Sequence, residues 1–514
     1  MIRKIKKNLN RLAENYYTRL LLKRIKTVDI KDSEYLFIFN QTASKFTAKL
    51  YMIVSHELSK VGLASCFQYK NGQWSKYYPR LIIDGNEISN SFFSVNRFYI
   101  ETLREQRLFF KWSLDIENQK IEAEGINFFP VIQNTLRTIQ KRYNISSNDQ
   151  NNREVYNELI HTCDLLLKHF YFLKNYSKTT RKRIRLVVFE TDYVPNGVLW
   201  MLCDRFSQNR DIECIELRRG YINYFGQYHP KASYVACSNL TKTQAETCLA
   251  ISRQEWAEFD GENIEPDNLF KPVSNALGKN FSSETPSNQK KIIGAIEDFK
   301  SRGKKVFILF SHLFYDTPVD DTSPAFNGMC DWIMETVRYF SSKEDLLLLK
   351  PHPAEFEKDQ PQKSPNETLA SFLSNTELPE NILLLEHHQF TIKDLSPFIS
   401  CGLIWRSSVA MELIFLGIPC LIAGNPIYRV LDLHYAKDRD HYFNMIEQSH
   451  KIKTTEQNKR DVATYLYLLE RKHVHIDCIS YTKLRKFHWN RKALIKYLKN
   501  GNENIKSIAD SMLS

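Results

Sequence analysis

The sequence predicts an α/β protein of two Rossmann-like domains facing a cleft, with an amphipathic helix ahead of them and helices after them. Three observations predict it. From residue 27 onward, short apolar runs alternate with amphipathic stretches, the strand–helix order of parallel sheets covered on both faces. Between Glu258 and Lys291 that alternation gives way to Asn, Pro, Ser, Gly and charge, and then it restarts. Finally, 514 residues exceed what one hydrophobic core usually organises and fit two medium domains.

Composition narrows the class. With 43% hydrophobic residues, 25% charged residues and few Gly and Pro, the chain is not disordered. No apolar run is long enough for a bilayer, and the basic start lacks the apolar stretch of a signal peptide, so a cytoplasmic location is expected. The ten Cys show no C-x-x-C pair and no zinc-like Cys/His spacing, so they read as reduced core thiols, with neither metal nor cofactor implied. A net charge of +12 suits nucleic acid, an anionic membrane or a phosphorylated substrate equally. Nucleic acid ranks last, because no RNA-recognition, KH or helix-turn-helix signature is present.

Residues 1–26 hold Arg3, Lys4, Lys6, Lys7, Arg11, Arg19, Lys23, Arg24 and Lys26 against one acid, Glu14. Ile2, Ile5, Leu9, Leu12, Tyr16 and Leu20 recur at spacings of three and four, so a helix here carries one apolar stripe flanked by cations. Such a helix lies on an anionic membrane surface or packs on the protein, and both readings stay open.

The first domain is assigned to residues 27–257. Tyr35 to Phe39 reads as a buried strand followed by a helix through Leu58, closed near Gly62. Further strands follow to residue 125, then a helix from Phe129 to Tyr143, a polar surface loop from Asn144 to Asn152, and a long helix from Glu154 to Tyr176. Ile184 to Glu190 is the next strand, and it places Glu190 and Asp192 at its carboxyl edge. A linker covers 258–291, a second Rossmann-like domain 292–450, and a helical segment 451–514. In the second domain the strands are Lys305 to Phe310, Asp345 to Lys350, Ile382 to Leu385, Gly402 to Trp405 and Pro419 to Ala423, with helices at Met329 to Phe340 and Val409 to Leu416.

Open parallel sheets bind ligands beyond the carboxyl ends of their strands, so the residues just past each strand are the candidates. Lys350-Pro351-His352-Pro353 fixes an imidazole between two prolines, which suits a phosphate or is a rigid turn with an incidental His. Arg406-Ser407-Ser408 precedes a helix, where hydroxyls and free N–H groups meet anions and where Ser408 also fits an N-cap. Glu412 lies one residue beyond the capping-box position, which leaves ribose or base recognition as its reading. His312 stands in the loop after the first of these strands; Asp320 and Asp321 read as solvated loop acids.

His352-Pro353 followed by Ser407-Ser408, with Gly417, Pro419 and Gly424 after them, resembles the donor half of bacterial capsule and lipopolysaccharide glycosyltransferases. These include Kdo and sialic acid transferase groups, which have the glycosyltransferase B (GT-B) architecture. The resemblance covers Val306 to about Tyr442. It implies a metal-independent enzyme in which His352, Pro353, Ser407 and Ser408 hold the phosphates of a nucleotide-sugar donor, commonly CMP-linked; Lys350, Glu412 and His312, from the same clusters, are read as further donor-binding residues. The acceptor is then a surface polysaccharide or lipid-linked glycan, with no nucleic-acid partner and with peripheral contact at the inner face of the membrane. Transfer by inversion needs a base from the first domain: Asp192 is the first candidate, Glu190 and His229 the next, and a turn residue the alternative for Asp192. Where many relatives have Gln-His-Gly, this chain has Arg218-Arg219-Gly220, and an arginine pair suits an anionic acceptor. A teichoic-acid-type glycerol- or ribitol-phosphate transferase, a non-hydrolysing sugar epimerase and a non-catalytic polysaccharide-assembly subunit are the other readings.

Overall fold

Two six-stranded sheets organise the chain in the computed structural model. It describes residues 16–18, 20–21, 23–25, 33–39, 45–67, 109–143, 145, 149–188, 191–206, 211–220, 223–224, 227–228, 234–239, 251–259, 287–316, 323–352, 355, 367–385, 390, 392–472, 474–482 and 486–513. The first half contains strands β1 (Tyr35–Phe39), β2 (Ala64–Phe67), β3 (Ser113–Asp115), β4 (Lys120–Ala123), β5 (Ile126–Asn127), β6 (Arg183–Val188), β7 (Ile212–Gly220), β8 (Asn223–Tyr224), β9 (Gln227–Tyr228) and β10 (Tyr234–Asn239). The second contains β11 (Val306–Phe310), β12 (Leu346–Lys350), β13 (Ile382–Leu384), β14 (Cys401–Ile404), β15 (Cys420–Ile422) and β16 (His434–Tyr435). Three more strands follow late in the chain: β17 (Val474–His475), β18 (Ile479–Thr482) and β19 (Lys486–Trp489).

The second sheet, in the order β13-β12-β11-β14-β15-β16, is parallel throughout. Alternate residues of β11 enter different cores: Val306, Ile308 and Phe310 join one, Phe307 and Leu309 the other. Burial on both faces is why these strands read as unbroken apolar runs. At Gly402 a Cβ would stand 2.3 Å from Leu413 Cδ1, so any larger residue there would force that side chain to shift. Gly417, at φ +79°, follows the helix Val409–Phe415 in the left-handed conformation that closes it.

The first sheet runs β17-β10-β7-β6-β1-β2. Its middle is parallel, but β10 pairs antiparallel with β7, and β17 antiparallel with β10. Leu36 and Ile38 of β1 enter a core with Phe170, Leu186 and Leu199, while Phe37 and Phe39 enter another with Leu50, Leu494 and Ile505. On that second face the buried Arg185 of β6 pairs with the buried Glu213 of β7, its register partner. The long helix is Gln150–Thr180, starting before the expected Glu154 because Asp149 caps it by accepting the N–H of Asn151 at 2.9 Å. The polar stretch read as loop therefore supplies the helix's first turn.

The chain crosses between the sheets more than once. Ile251 is buried in the core of the second sheet and Trp256 packs against it, although both residues lie before the linker read from composition. Helix Glu456–Lys472 also belongs there, with Val462 and Tyr465 buried. The chain then returns to the first sheet through β17, and the helices Arg491–Asn500 and Glu503–Ser511 bury Leu494, Tyr497, Ile505 and Ile508 in its core. The last segment is thus not purely helical: it contains β17, β18 and β19 and covers the opposite half. His56 Nδ1 lies 2.6 Å from the Tyr497 hydroxyl, and burial pushes its pKa down to about 4.

At the N-terminus, residues 1–15 lie outside the described residues. Tyr16 to Thr18 are helical, Leu21 is fully buried, and Trp489 Nε1 donates to Thr18 Oγ1 at 2.9 Å, so this part packs on the protein. Among the described residues no helix is long and apolar enough to cross a membrane.

Candidate functional site

β11 and β12 lie side by side in the second sheet, and each ends in a histidine-bearing turn. The His312 and His352 rings come within 5.4 Å, centroid to centroid. The N–H of Leu313 donates to His312 Nδ1 at 3.0 Å, so that nitrogen is unprotonated and the neutral ring carries its proton on Nε2. Burial lowers the His312 pKa, with Asp316 opposing it. Asp316 Oδ2 stands 3.8 Å from Nδ1, beyond hydrogen-bond distance.

Glu355 sets the His352 turn. Its carboxylate accepts the N–H of His352 at 3.3 Å and of Leu369 at 2.9 Å, while its own N–H donates to the His352 carbonyl at 3.0 Å. Burial pushes this acid up to about 7, against the two backbone donors. The sequence reading passed over it. Its signal was the spacing, because an acid three residues after a turn position reaches back to that residue's N–H as in a capping box. Pro353 lies outside the described residues. Lys350 is buried, its Nζ donates to the Phe390 carbonyl at 2.9 Å, and burial lowers its pKa to about 8. Its ammonium ties the end of β12 to the neighbouring loop.

Past β14 the chain reaches Arg406, Ser407 and Ser408. Ser407 Oγ, not Ser408, accepts the N–H of Val409, at 3.3 Å; Ser408 stands at the N-cap with no side-chain cap bond and is exposed. Ser408 is thus the N-cap residue by position, but its αR backbone does not bring its hydroxyl to the free N–H groups. The Tyr428 hydroxyl donates to the Ser407 carbonyl at 2.7 Å, which fixes the turn from below. Gly424 passes so close that a Cβ would stand 2.5 Å from the Trp405 carbonyl oxygen. Glu412 has no side-chain hydrogen bond among the described residues, and burial alone pushes its carboxyl up to about 8.

Asp192 meets this cluster from the first sheet. It is exposed, and its carbonyl accepts from Asn134 Nδ2 at 3.5 Å. The next turn is held by the Val194 N–H donating to Thr135 Oγ1 at 2.8 Å. Burial lowers the Arg406 pKa, while Asp192, Tyr428 and Asp316 hold it up, so carboxylates from both halves act on one guanidinium. Nearby, Thr138 Oγ1 donates to the Tyr315 carbonyl at 3.4 Å, and the Tyr143 N–H to Glu367 Oε2 at 2.7 Å, both across the halves. The structure thus gathers His312, His352, Arg406 and Ser407 at one sheet edge, with Asp192 opposite. Arg218 and Arg219 sit inside β7, registered with Ala236 and Val235. Glu190, His229, Asp320 and Asp321 lie outside the described residues.

Fold and site define a two-sheet α/β protein with a polar cluster at the carboxyl edge of its parallel sheet. No family model matches the chain, and no curated protein matches it. Among solved structures it is similar to the beta Kdo 2,7 transferase of Thermosulfurimonas dismutans KpsC, at 14% identity and TM-score 0.32 over 64% of this chain and 89% of that one. The beta Kdo 2,4 transferase of the same KpsC matches at 12% identity and TM-score 0.30, over 55% and 79%. Spinosyn rhamnosyltransferase SpnG complexed with spinosyn aglycone matches at 12% and 0.25, over 90% and 100%. At such TM-scores the architecture is read from the two sheets themselves.

Proposed function

We propose that the chain is a GT-B glycosyltransferase that takes a nucleotide-activated, CMP-linked sugar and transfers it with inversion to a surface polysaccharide or lipid-linked glycan. It acts in the cytoplasm against the inner face of the membrane. One observation carries the reading: His312 and His352 lie together past adjacent strands of the parallel sheet, the Ser407 turn follows the next strand, and Asp192 acts on the Arg406 guanidinium beside that turn. That edge is where such sheets bind nucleotides.

In this reading the neutral His312 offers Nε2–H, His352 its ring, and Ser407 and Ser408 their hydroxyls to the donor phosphate. Arg406 balances the charge that develops as the phosphate leaves. Glu412, largely withdrawn from water and with no hydrogen-bond partner among the described residues, meets the ribose hydroxyls. Lys350 supports the site by holding the end of β12. Asp192 takes the proton of the acceptor hydroxyl; the acceptor oxygen bonds to the anomeric carbon as the carbon–oxygen bond to phosphate breaks, and the nucleotide departs with that electron pair. Glu190 and His229 are the second choices for this base, and Arg218 and Arg219 are assigned to an anionic acceptor. The limits 27–257 and 292–450 are proposed for the sheet-bearing parts of the two halves, with Ile251, Trp256 and the helix Glu456–Lys472 packed on the second.

Incubating the protein with CMP-, UDP- and CDP-activated donors and lipid-linked acceptors, and measuring the nucleotide released, tests it. Acceptor-dependent release of CMP is the expected result. Release of CMP together with transfer of glycerol or ribitol phosphate would move the chain to the teichoic-acid type, and nucleotide binding without release would leave a non-catalytic assembly subunit.

A further inference from the structure

The two ends of the chain meet at one corner of the first sheet. The Trp489–Thr18 hydrogen bond joins them, the Arg491 guanidinium lies 5.8 Å from the Tyr17 ring centroid, and Leu21, Leu494 and Tyr497 share one core. Helix Lys45–Lys60 completes the corner, with Lys60 Nζ 5.0 Å from the Tyr497 ring centroid.

Its outward groups are mainly cations and apolar side chains, with Glu503 and Asp510 exposed on the adjacent helix Glu503–Ser511. Arg491, Lys492, Lys496 and Lys499 are exposed on the helix Arg491–Asn500, which contains no acid, and Lys23 and Arg24 are exposed beside it. Helix Lys45–Lys60 has one acid, Glu57, which is buried and bonds Lys60 at 2.7 Å. Among these cations stand Tyr16 at 61% exposure, Val61 at 64% and Ile495 at 39%, three of the eight large apolar side chains exposed among the described residues. Lys492, Ile495, Lys496 and Lys499 follow helical spacing, so they share one face of their helix.

We infer that this corner is the surface by which the protein docks on a bilayer of anionic lipid, with the helix Arg491–Asn500 at its centre. Cations draw it to negative headgroups, and the apolar side chains between them enter the headgroup boundary. A nucleic-acid backbone would use the cations alone and leave Ile495, Val61 and Tyr16 in water. The assignment differs from a free N-terminal helix, because the described part of that helix is anchored in the core and the lipid-facing groups come from three separate stretches. It rests on the membrane-side placement proposed above and not on the transfer chemistry.

Full-length protein is sedimented with vesicles of phosphatidylcholine alone and of phosphatidylcholine with phosphatidylglycerol. The variants are the triple Lys492→Glu/Lys496→Glu/Lys499→Glu, the single Ile495→Asp, and a charge-matched control, Lys290→Glu/Lys291→Glu/Lys453→Glu, at exposed positions of the other half. Wild type and control should bind only the anionic vesicles and be released by salt. The triple variant should lose on the order of a hundredfold in partitioning, and Ile495→Asp about tenfold, with unchanged thermal midpoints. If wild type binds and the triple variant binds as well as it does, the docking surface is elsewhere and the membrane placement survives. If wild type binds no vesicle, both are lost. Equal losses in control and triple variant, or loss of binding to single-stranded RNA without loss on vesicles, overturn the assignment. Nucleotide release in solution reports on the chemistry separately.

Discussion

Glu412→Gln should stabilise the protein, and only at neutral to alkaline pH. Glu412 is a carboxyl withdrawn from water with no hydrogen-bond partner among the described residues, and its pKa is raised by burial from 4.5 to about 8. For an acid with a raised folded-state pKa, the folded protein holds a proton that the unfolded chain has released. Stability is therefore full below pH 4.5 and falls as pH rises, until it levels off above about 8. The interval is about 3.5 pH units, 8 less 4.5, and at about 1.36 kcal/mol per unit it sets a ceiling near 5 kcal/mol. Relaxation and water at this partly exposed side chain bring the observable to about 2–3 kcal/mol. Gln has the same shape and does not ionise, so variant and wild type should coincide near pH 4.5 and diverge to that extent by pH 9. Urea unfolding at pH 4.5, 7 and 9 measures the divergence. A difference that stays constant across pH, or a variant weaker than wild type at pH 9, would refute the reasoning.

Four further outcomes follow from the geometry. His352→Ala, and Ser407→Ala with Ser408→Ala, should each weaken CMP binding by about 1.5–3 kcal/mol in calorimetric titration with thermal midpoints held, since they remove charge-assisted hydrogen bonds. Glu355→Ala should reproduce the His352→Ala loss in wild type and add nothing in a His352→Ala background, a double-mutant cycle that detects action through the imidazole. Leu21→Ala should destabilise by about 2–5 kcal/mol in urea unfolding, the range for a fully buried leucine, whereas a helix resting only on a membrane would show no change. Asp192→Asn should cut turnover by ~10²–10⁴ while donor affinity holds or tightens; activity within a few-fold of wild type removes Asp192 as the base.

The second sheet was legible because parallel strands buried on both faces leave a continuous apolar signature, as in Val306–Phe310 and Leu346–Lys350. The first sheet hid more. β7 carries Glu213 and Glu216, both buried, and Arg185 of β6 neutralises Glu213, so a central strand reads as charged until its partner is known. The return of the chain to the first sheet rests on β17, two residues long, which no periodicity can announce. Likewise, Ile251 and Trp256 look like the end of one domain in composition, and only contact assigns them to the other core.

For the site the division is similar. His312, His352 and Ser407 can be singled out because a parallel sheet directs attention just past its strands, and strand ends are visible in sequence; Glu412 lies within the helix that follows. Roles were not visible, since they depend on which atom is already engaged. Lys350 looked like a phosphate ligand and is occupied by the Phe390 carbonyl; Ser407 makes the backbone bond assigned to Ser408. Asp192 is the sharpest case. The sequence offered it as a base or a turn residue, and its electrostatic effect on Arg406 from across the halves suggests a third role, counter-charge to that guanidinium. The roles differ in what removal of the charge does. A base gives up rate and leaves the guanidinium no freer for phosphate than before. A counter-charge releases Arg406, so the Asn variant binds nucleotide more tightly, and Arg406→Gln in the same background should abolish that gain. Loss of turnover together with a gain in affinity that needs Arg406 would show that one carboxylate does both.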